Sequence, residues 1–312
     1  MFEITLGINQ SNQRLDKVLA KYLREAPQSF IYKMLRKKNI TLNGEKALGN
    51  EKTVAGDTVQ FFFSRETYDK MRGEKPLSVI SKADFPEIPI LYEDADVCIF
   101  VKPAGILSQK AVDTDYSVNE WLIWHAVESG LVSGSDLETF RPSVCNRLDR
   151  NTSGIMAAGL SEKGLQVLSE IFRDRGVSKY YYALVQGKVS GHHELKGFLH
   201  KDEKTNKVII SAEKVLDSKP VFTEYDSLKI LDDRTLLKVR LHSGKSHQIR
   251  AHLSSVGHPL LGDPKYGDQH FNMKYGIYNQ CLHSCRMEFP DCELPGISGK
   301  IFTSDIPSDW PV

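Results

Sequence analysis

The sequence predicts an α+β protein, with a small N-terminal helix–hairpin domain ahead of a larger domain on a mixed, mostly antiparallel sheet with flanking helices. Three observations predict it. At 312 residues, 40% hydrophobic and 26% charged, the chain is globular and longer than one typical core. Residues 1–64 carry a helix, helix, hairpin and strand order of their own. Beyond residue 88, short β-prone segments dominate without regular crossover helices between them, which disfavours a doubly wound parallel sheet.

Taken in order, Leu15, Val18, Leu19, Tyr22 and Leu23 fall on one helical face. After Pro27, Ser29 is positioned to cap a second helix through Phe30–Leu35, which runs into Arg36, Lys37 and Lys38. Asn43-Gly44, following Ile40-Thr41-Leu42, signals a tight hairpin, and residues 58–63 read as a closing strand. Residues 65–87, charged and containing Pro76 and Pro86, read as a linker. In residues 88–312, Val97–Val101, Tyr180–Val185, Lys207–Ile210 and Leu236–Leu241 read as strands. Ser161–Phe172 is the clearest helix, with Leu165, Leu168 and Phe172 on one stripe.

Charge and composition narrow the function. The net charge is +1, so any nucleic-acid surface must come from local clustering. Residues 1–70 supply one candidate: 12 Lys/Arg against 8 Asp/Glu, with Lys33, Arg36, Lys37 and Lys38 in an acid-free stretch. Such a run is also compatible with a solvated helix face. No apolar run approaches a membrane span and the N-terminus lacks a signal peptide's apolar core, so a cytoplasmic location without membrane contact is expected. Five scattered cysteines read as reduced thiols, and no paired CxxC knuckle supports a metal site.

Several motifs exclude more than they assign. Gly244-Lys245-Ser246 resembles the tail of a phosphate-binding loop, but the glycine needed five positions earlier is Val239. His242, His247, His252 and His258 share a 17-residue window without the i, i+4 spacing of a helical zinc pair, and read as separate polar contacts. In Asn146-Arg147-Leu148-Asp149-Arg150-Asn151-Thr152-Ser153-Gly154, one acid sits between two guanidinium groups just before a turn. Adjacent positive charge favours its ionised form, and the arginines can grip phosphate. Residues 241–253 read as a strand, a glycine turn with Lys245, and a helix start that projects Arg250. In Lys179-Tyr180-Tyr181-Tyr182, alternation puts Tyr181 on the face opposite Tyr180 and Tyr182.

Together, Lys102-Pro103-Ala104-Gly105, Arg147–Gly154, Lys179–Val185, His247-Gln248-Ile249-Arg250 and Gly257–Gly267 resemble, in order and rough spacing, the RluA-type RNA pseudouridine synthases. The resemblance implies a cofactor-free isomerase of RNA uridines, on ribosomal large-subunit RNA first and transfer RNA second. Asp149 is then the essential aspartate, Tyr181 stacks on the target uracil and helps move its C5 proton, and Arg250 pairs with Asp149. Arg147, Arg150, Lys245, His247 and Gln248 become candidate substrate contacts. Two positions depart from the family pattern: Asn146 replaces a usual histidine, and Ser243-Gly244-Lys245 replaces Thr-Gly-Arg. Residues 1–64 resemble the S-four-type RNA-binding module, with Gln28-Ser29-Phe30 where serine–arginine–serine often stands. That makes Lys33, Arg36, Lys37 and Lys38 candidate RNA contacts. The competing readings are a non-catalytic RNA-binding or ribosome-assembly factor on the same scaffold, and a carboxylate hydrolase. The hydrolase would need a second acid, for which Asp263 is the motif-linked candidate, though Gly262-Asp263-Pro264 reads as a turn.

Overall fold

The N-terminal periodicity becomes structure in the computed structural model, which describes residues 1–73, 85–112, 115–134, 136–202 and 207–312. Contacts divide the chain into two compact units: residues 1–85 with 120–143 and 159–165, and residues 86–119, 144–158 and 166–312. No helix among the described residues is long and apolar enough to cross a membrane.

The first unit contains β1 (Phe2–Thr5), α1 (Leu15–Tyr22), α2 (Gln28–Arg36), β2 (Ile40–Leu42), β3 (Glu45–Lys46), β4 (Thr58–Phe61) and α3 (Arg65–Arg72). Its sheet order is β1-β4-β2-β3. Asn43 and Gly44 both take positive φ, the left-handed pair a two-residue hairpin turn requires. Leu15, Val18, Leu19 and Leu23 pack with Ile31, Leu35, Ile40, Val59 and Phe61 in one core. Each such fully buried side chain contributes roughly 1.5–3 kcal/mol. Asp16 ties the two helices together: it accepts hydrogen bonds from Arg14 and, at 2.6 Å, from the Tyr32 hydroxyl. Those bonds, the Arg14 pair foremost, lower its pKa to about 2.

Two readings change here. Ser29 does not cap α2; the helix starts two residues earlier, at Gln28, with Pro27 at the cap position and no side-chain cap. The stretch read as a linker begins as α3, capped by Ser64, whose hydroxyl accepts the Thr67 N–H. Tyr68 of α3 is buried in the N-terminal core, its hydroxyl 2.6 Å from that of Tyr22. Residues 74–84, the rest of most of that linker reading, lie outside the described residues.

The chain continues through β5 (Ile90–Glu93), β6 (Val97–Lys102), α4 (Val118–Glu128), β7 (Ser143–Val144), β8 (Ser153–Gly159) and α5 (Glu162–Arg173). Then come β9 (Ser178–Gln186), β10 (His192–Asp202), β11 (Lys207–Ser211), β12 (Lys219–Ile230), β13 (Arg234–Leu241), α6 (Gln248–Ser255), α7 (Gln269–Tyr275), β14 (Leu282–Glu288) and β15 (Ile301–Thr303). One large sheet runs β11-β10-β12-β13-β9-β14-β8-β6-β5, with β15 on β14 and β7 on β8. It is mixed: β14 pairs with β8 in parallel, while β9 pairs antiparallel with both β13 and β14. Val97, Ile99, Ile155, Ala157 and Met287 from the sheet pack with Leu168 of α5. This platform carries the site on the β7–β8 connection, on β9 and on the β13–α6 turn.

Candidate active site

The segment from Asn146 to Thr152 joins β7 to β8 and is anchored along its length. The Asn146 side-chain oxygen accepts the Ala157 N–H at 2.8 Å, so the residue standing where a histidine was expected fastens the segment to β8. Ser108 Oγ accepts the Leu148 N–H and donates to the Leu148 carbonyl. Lys102 is fully buried, and its Nζ donates to the carbonyls of Pro103, Ile106 and Arg150 at 2.9, 2.8 and 2.9 Å. Burial pushes this amine down to about 7, against the charge of Asp149. Three acceptors match the three N–H of the ammonium, so the charged form is the one that satisfies the loop. Gly154 has φ +117°, and a Cβ there would lie 2.3 Å from the Ser284 backbone nitrogen. Only glycine lets β8 approach β14 this closely.

The segment delivers Asp149 into a cavity of about 420 Å³. Asp149, Arg147, Tyr181, Lys245, His247, Gln248 and Arg250 all line it. Arg150 does not; its side chain is exposed, and its carbonyl holds Lys102 and the Gly105 N–H. Gln248 lines the cavity, yet its amide is engaged by Phe222, Thr223, Ser243 and the Lys245 N–H. Its side chain therefore shapes the β13–α6 turn from within.

Arg250, the third residue of α6, lies between two carboxylates. Its Nη1 donates to Asp149 Oδ2 at 2.8 Å, and its Nε and Nη2 donate to Asp263 Oδ2 and Oδ1 at 2.7 and 2.9 Å. Asp263 is fully buried and also accepts the N–H groups of Lys265 and Tyr266, which makes it both a turn residue and an anchor. Burial opposes the charges, but the mutual hydrogen bonds and attraction win: the Arg250 pKa is raised and that of Asp263 lowered. Asp263 is thus unavailable as a second acid, which removes the basis of a two-carboxylate hydrolase. Among the described residues, Asp149 Oδ1 takes no hydrogen bond, leaving one carboxylate oxygen for a ligand.

His247 Nε2 lies 3.8 Å from Asp149 Oδ2, and Nδ1 lies 3.0 Å from the Tyr266 hydroxyl. Burial lowers the His247 pKa, with the charge of Asp149 opposing. The Tyr266 oxygen accepts the Val208 N–H at 2.8 Å. The arrangement using every donor has Tyr266 donating to Nδ1, with the Nε2–H facing Asp149. His247 adopts φ 54°, ψ 15°, a left-handed backbone costing a non-glycine residue about 1 kcal/mol or more.

Tyr181 sits mid-strand in β9, paired to Val239 on one side and Ser284 on the other. It is 6% exposed, and burial raises its phenol pKa. In the resting protein it is a flat surface and a hydrogen-bond donor; it can accept a proton only after losing its own. The other window histidines have unrelated partners: His242 with Glu224, His252 with Thr223 and His258 with the Gln186 carbonyl. In the first unit, Lys33, Arg36, Lys37 and Lys38 are exposed at the C-terminal end of α2, where cations also favour the helix dipole. Sequence reasoning missed the anchoring role of Asp263 and the loop-holding role of Lys102, although both lay in quoted motifs.

A family model described as RNA pseudouridylate synthase matches residues 96–255. The ribosomal large subunit pseudouridine synthase C of Vibrio cholerae serotype O1 is 29% identical over 295 residues, covering 92% of this chain and 88% of that protein. An uncharacterised RNA pseudouridine synthase of Mycoplasma pneumoniae is 30% identical over 282 residues, covering 89% and 85%. The solved structure of human RNA pseudouridylate synthase domain containing 4 shares the fold, with TM-score 0.56 and 19% identity over 70% of this chain and 89% of that one.

Proposed function

Since the chain belongs to the RNA pseudouridylate synthase family, we propose that it converts specific uridines of ribosomal large-subunit RNA to pseudouridine, with Asp149 as the essential carboxylate. Transfer RNA is the second candidate substrate. The observation that carries this reading is the Asp149–Arg250–Asp263 chain, which leaves Asp149 Oδ1 open in a cavity also lined by Tyr181, Arg147 and Lys245. The relatives named for large-subunit RNA support the choice of substrate.

The reaction breaks the bond from uracil N1 to the ribose, turns the base and rejoins it through C5, from which a proton leaves. It is an isomerisation, so it needs neither a redox cofactor nor a nucleotide fuel. The uridine must leave its stack, at a cost of a few kcal/mol in a duplex and less in a loop. Tyr181 offers the flipped base a rigid aromatic surface fixed by two neighbouring strands. Arg250 orients Asp149 through their 2.8 Å bond, and the buried Asp263 fixes Arg250 in turn. Phosphate contacts from Arg147 and Lys245 supply binding energy. Residues 1–64 are proposed as an S-four-type RNA-binding domain gripping RNA through Lys33, Arg36, Lys37 and Lys38, with residues 88–312 as the catalytic domain and the cytoplasm as the site of action.

The test is to incubate the protein with RNA carrying tritium at uracil C5 and to map pseudouridines in total RNA with and without it. Tritium release, with new pseudouridines in large-subunit RNA, is expected. No release from any RNA would overturn the isomerase reading; new sites confined to transfer RNA would overturn only the substrate.

A further inference from the structure

Lys179 has no place in the chemistry described so far, yet it lies on the same face of β9 as Tyr181, two residues away, and lines the same cavity. Two strand residues separate the side chains by about 7 Å, a distance a nucleotide spans between its base and its own backbone. The side chain is half-buried, and its Nζ rests 5.8 Å from the centre of the Phe172 ring. That Nζ is also close to the turn before α6: a Cβ built on Gly244 would lie 3.7 Å from it, next to Lys245. Among the described residues no carboxylate forms an ion pair with Lys179, and the charged neighbour acting on it is another cation, Arg175. Burial and that cation together lower its pKa. Half-buried lysines are ordinarily matched by an anion, because an unpaired charge out of water is costly. The cavity lining adds Arg147 and Lys245, while its one acid, Asp149, is already shared with Arg250.

We propose that Lys179, beside the Gly244 turn that carries Lys245, holds a backbone phosphodiester of the substrate RNA next to the base that stacks on Tyr181. This rests on the RNA-isomerase reading. The ligand class is a phosphodiester anion of RNA, and Lys179 is a binding residue that positions the target nucleotide. Phe172 offers the ammonium its ring, and an RNA phosphate is the counter-ion the cavity lacks.

The test compares wild type with Lys179→Met, which keeps the apolar stem against Phe172, and Lys179→Arg, which keeps the charge. The probe is a protein-free large-subunit ribosomal RNA transcript tritiated at uracil C5, read for KM, kcat and binding across salt concentrations. Loss of one phosphate contact makes the slope of log affinity against log salt shallower by about 0.7. Lys179→Met should show that change and a KM raised about tenfold or more, as for one charge-assisted hydrogen bond, with kcat little altered. Lys179→Arg should restore both. An unchanged salt slope and KM in folded Lys179→Met, or a fall in kcat with KM unchanged, would overturn the proposal. If wild type releases no tritium, the isomerase reading fails by itself, and the binding slopes still decide whether Lys179 meets a phosphate.

Discussion

Replacing Asp263 with Asn tests how the site is held together while changing little but charge. The Asp263 side chain is fully buried and that of Arg250 only 7% exposed, so solvent gives their attraction little screening. Asn can still accept the N–H groups of Lys265 and Tyr266 through its oxygen. Its NH2, however, would face Arg250 Nε, where Asp263 Oδ2 now accepts at 2.7 Å. A charge-assisted hydrogen bond becomes a donor–donor contact, and a buried guanidinium loses half its neutralisation. Breaking a buried pair in this way costs about 3–5 kcal/mol. The midpoint of urea unfolding should fall by roughly 1 M or more, given a slope of about 1–3 kcal/mol per molar. Arg250 is then free to rotate away from Asp149. Losing the orientation supplied by their 2.8 Å bond, worth about 1.5–3 kcal/mol, should lower kcat roughly tenfold to a hundredfold with RNA affinity nearly unchanged. A variant within about 1 kcal/mol of wild type in stability and about threefold in kcat would refute the view that Asp263 is the anchor.

Three further outcomes are expected. Gly154→Ala places a methyl group against the Ser284 backbone, so β8 and β14 must part; a loss of roughly 3 kcal/mol or more is expected from denaturant melts, and a near-wild-type melt would contradict that close approach. His252 and His283 are buried, and burial lowers both to about 4. The unfolded chain binds their protons near pH ~6.5, so their stabilisation is complete above that pH and is lost as pH falls towards 4, by up to roughly 3 kcal/mol each; equal urea midpoints at pH 7 and pH 5 would refute this. Neutralising Lys33, Arg36, Lys37 and Lys38 together should weaken RNA binding and flatten its salt dependence, by up to about 0.7–0.9 per lost phosphate contact, while leaving kcat nearly intact; an unchanged slope would remove the N-terminal domain from RNA binding.

Tyr181 shows why much of the site was legible in the sequence. A strand alternates with period two, so the run Tyr180-Tyr181-Tyr182 had to put the middle ring opposite its neighbours. The structure has Tyr181 lining the cavity, whereas Tyr180 lies among Lys238, Arg240 and Arg286. Asp149 and Arg250 are 101 positions apart, and only the family resemblance of their motifs, in order and rough spacing, related them. Asp263 was read as a turn because its Gly-Asp-Pro context says so; its second task depends on a tertiary contact that no local pattern records. Lys102 was quoted only within Lys102-Pro103-Ala104-Gly105, and its three carbonyl partners lie 1, 4 and 48 residues away. α3 was hidden by its charge, although Ser64 as cap and Arg65–Asp69 at i, i+4 were both in view. β10 escaped because just one of its eleven residues is buried, so it lacks the apolar alternation that marks a strand.

The most direct measurement is tritium release from C5-labelled large-subunit RNA by Asp149→Asn beside wild type, with RNA affinity determined on the same preparations. Near-complete loss of release with affinity within a few-fold of wild type is predicted. Release at the wild-type rate would mean that the carboxylate held by Arg250 does not perform the isomerisation.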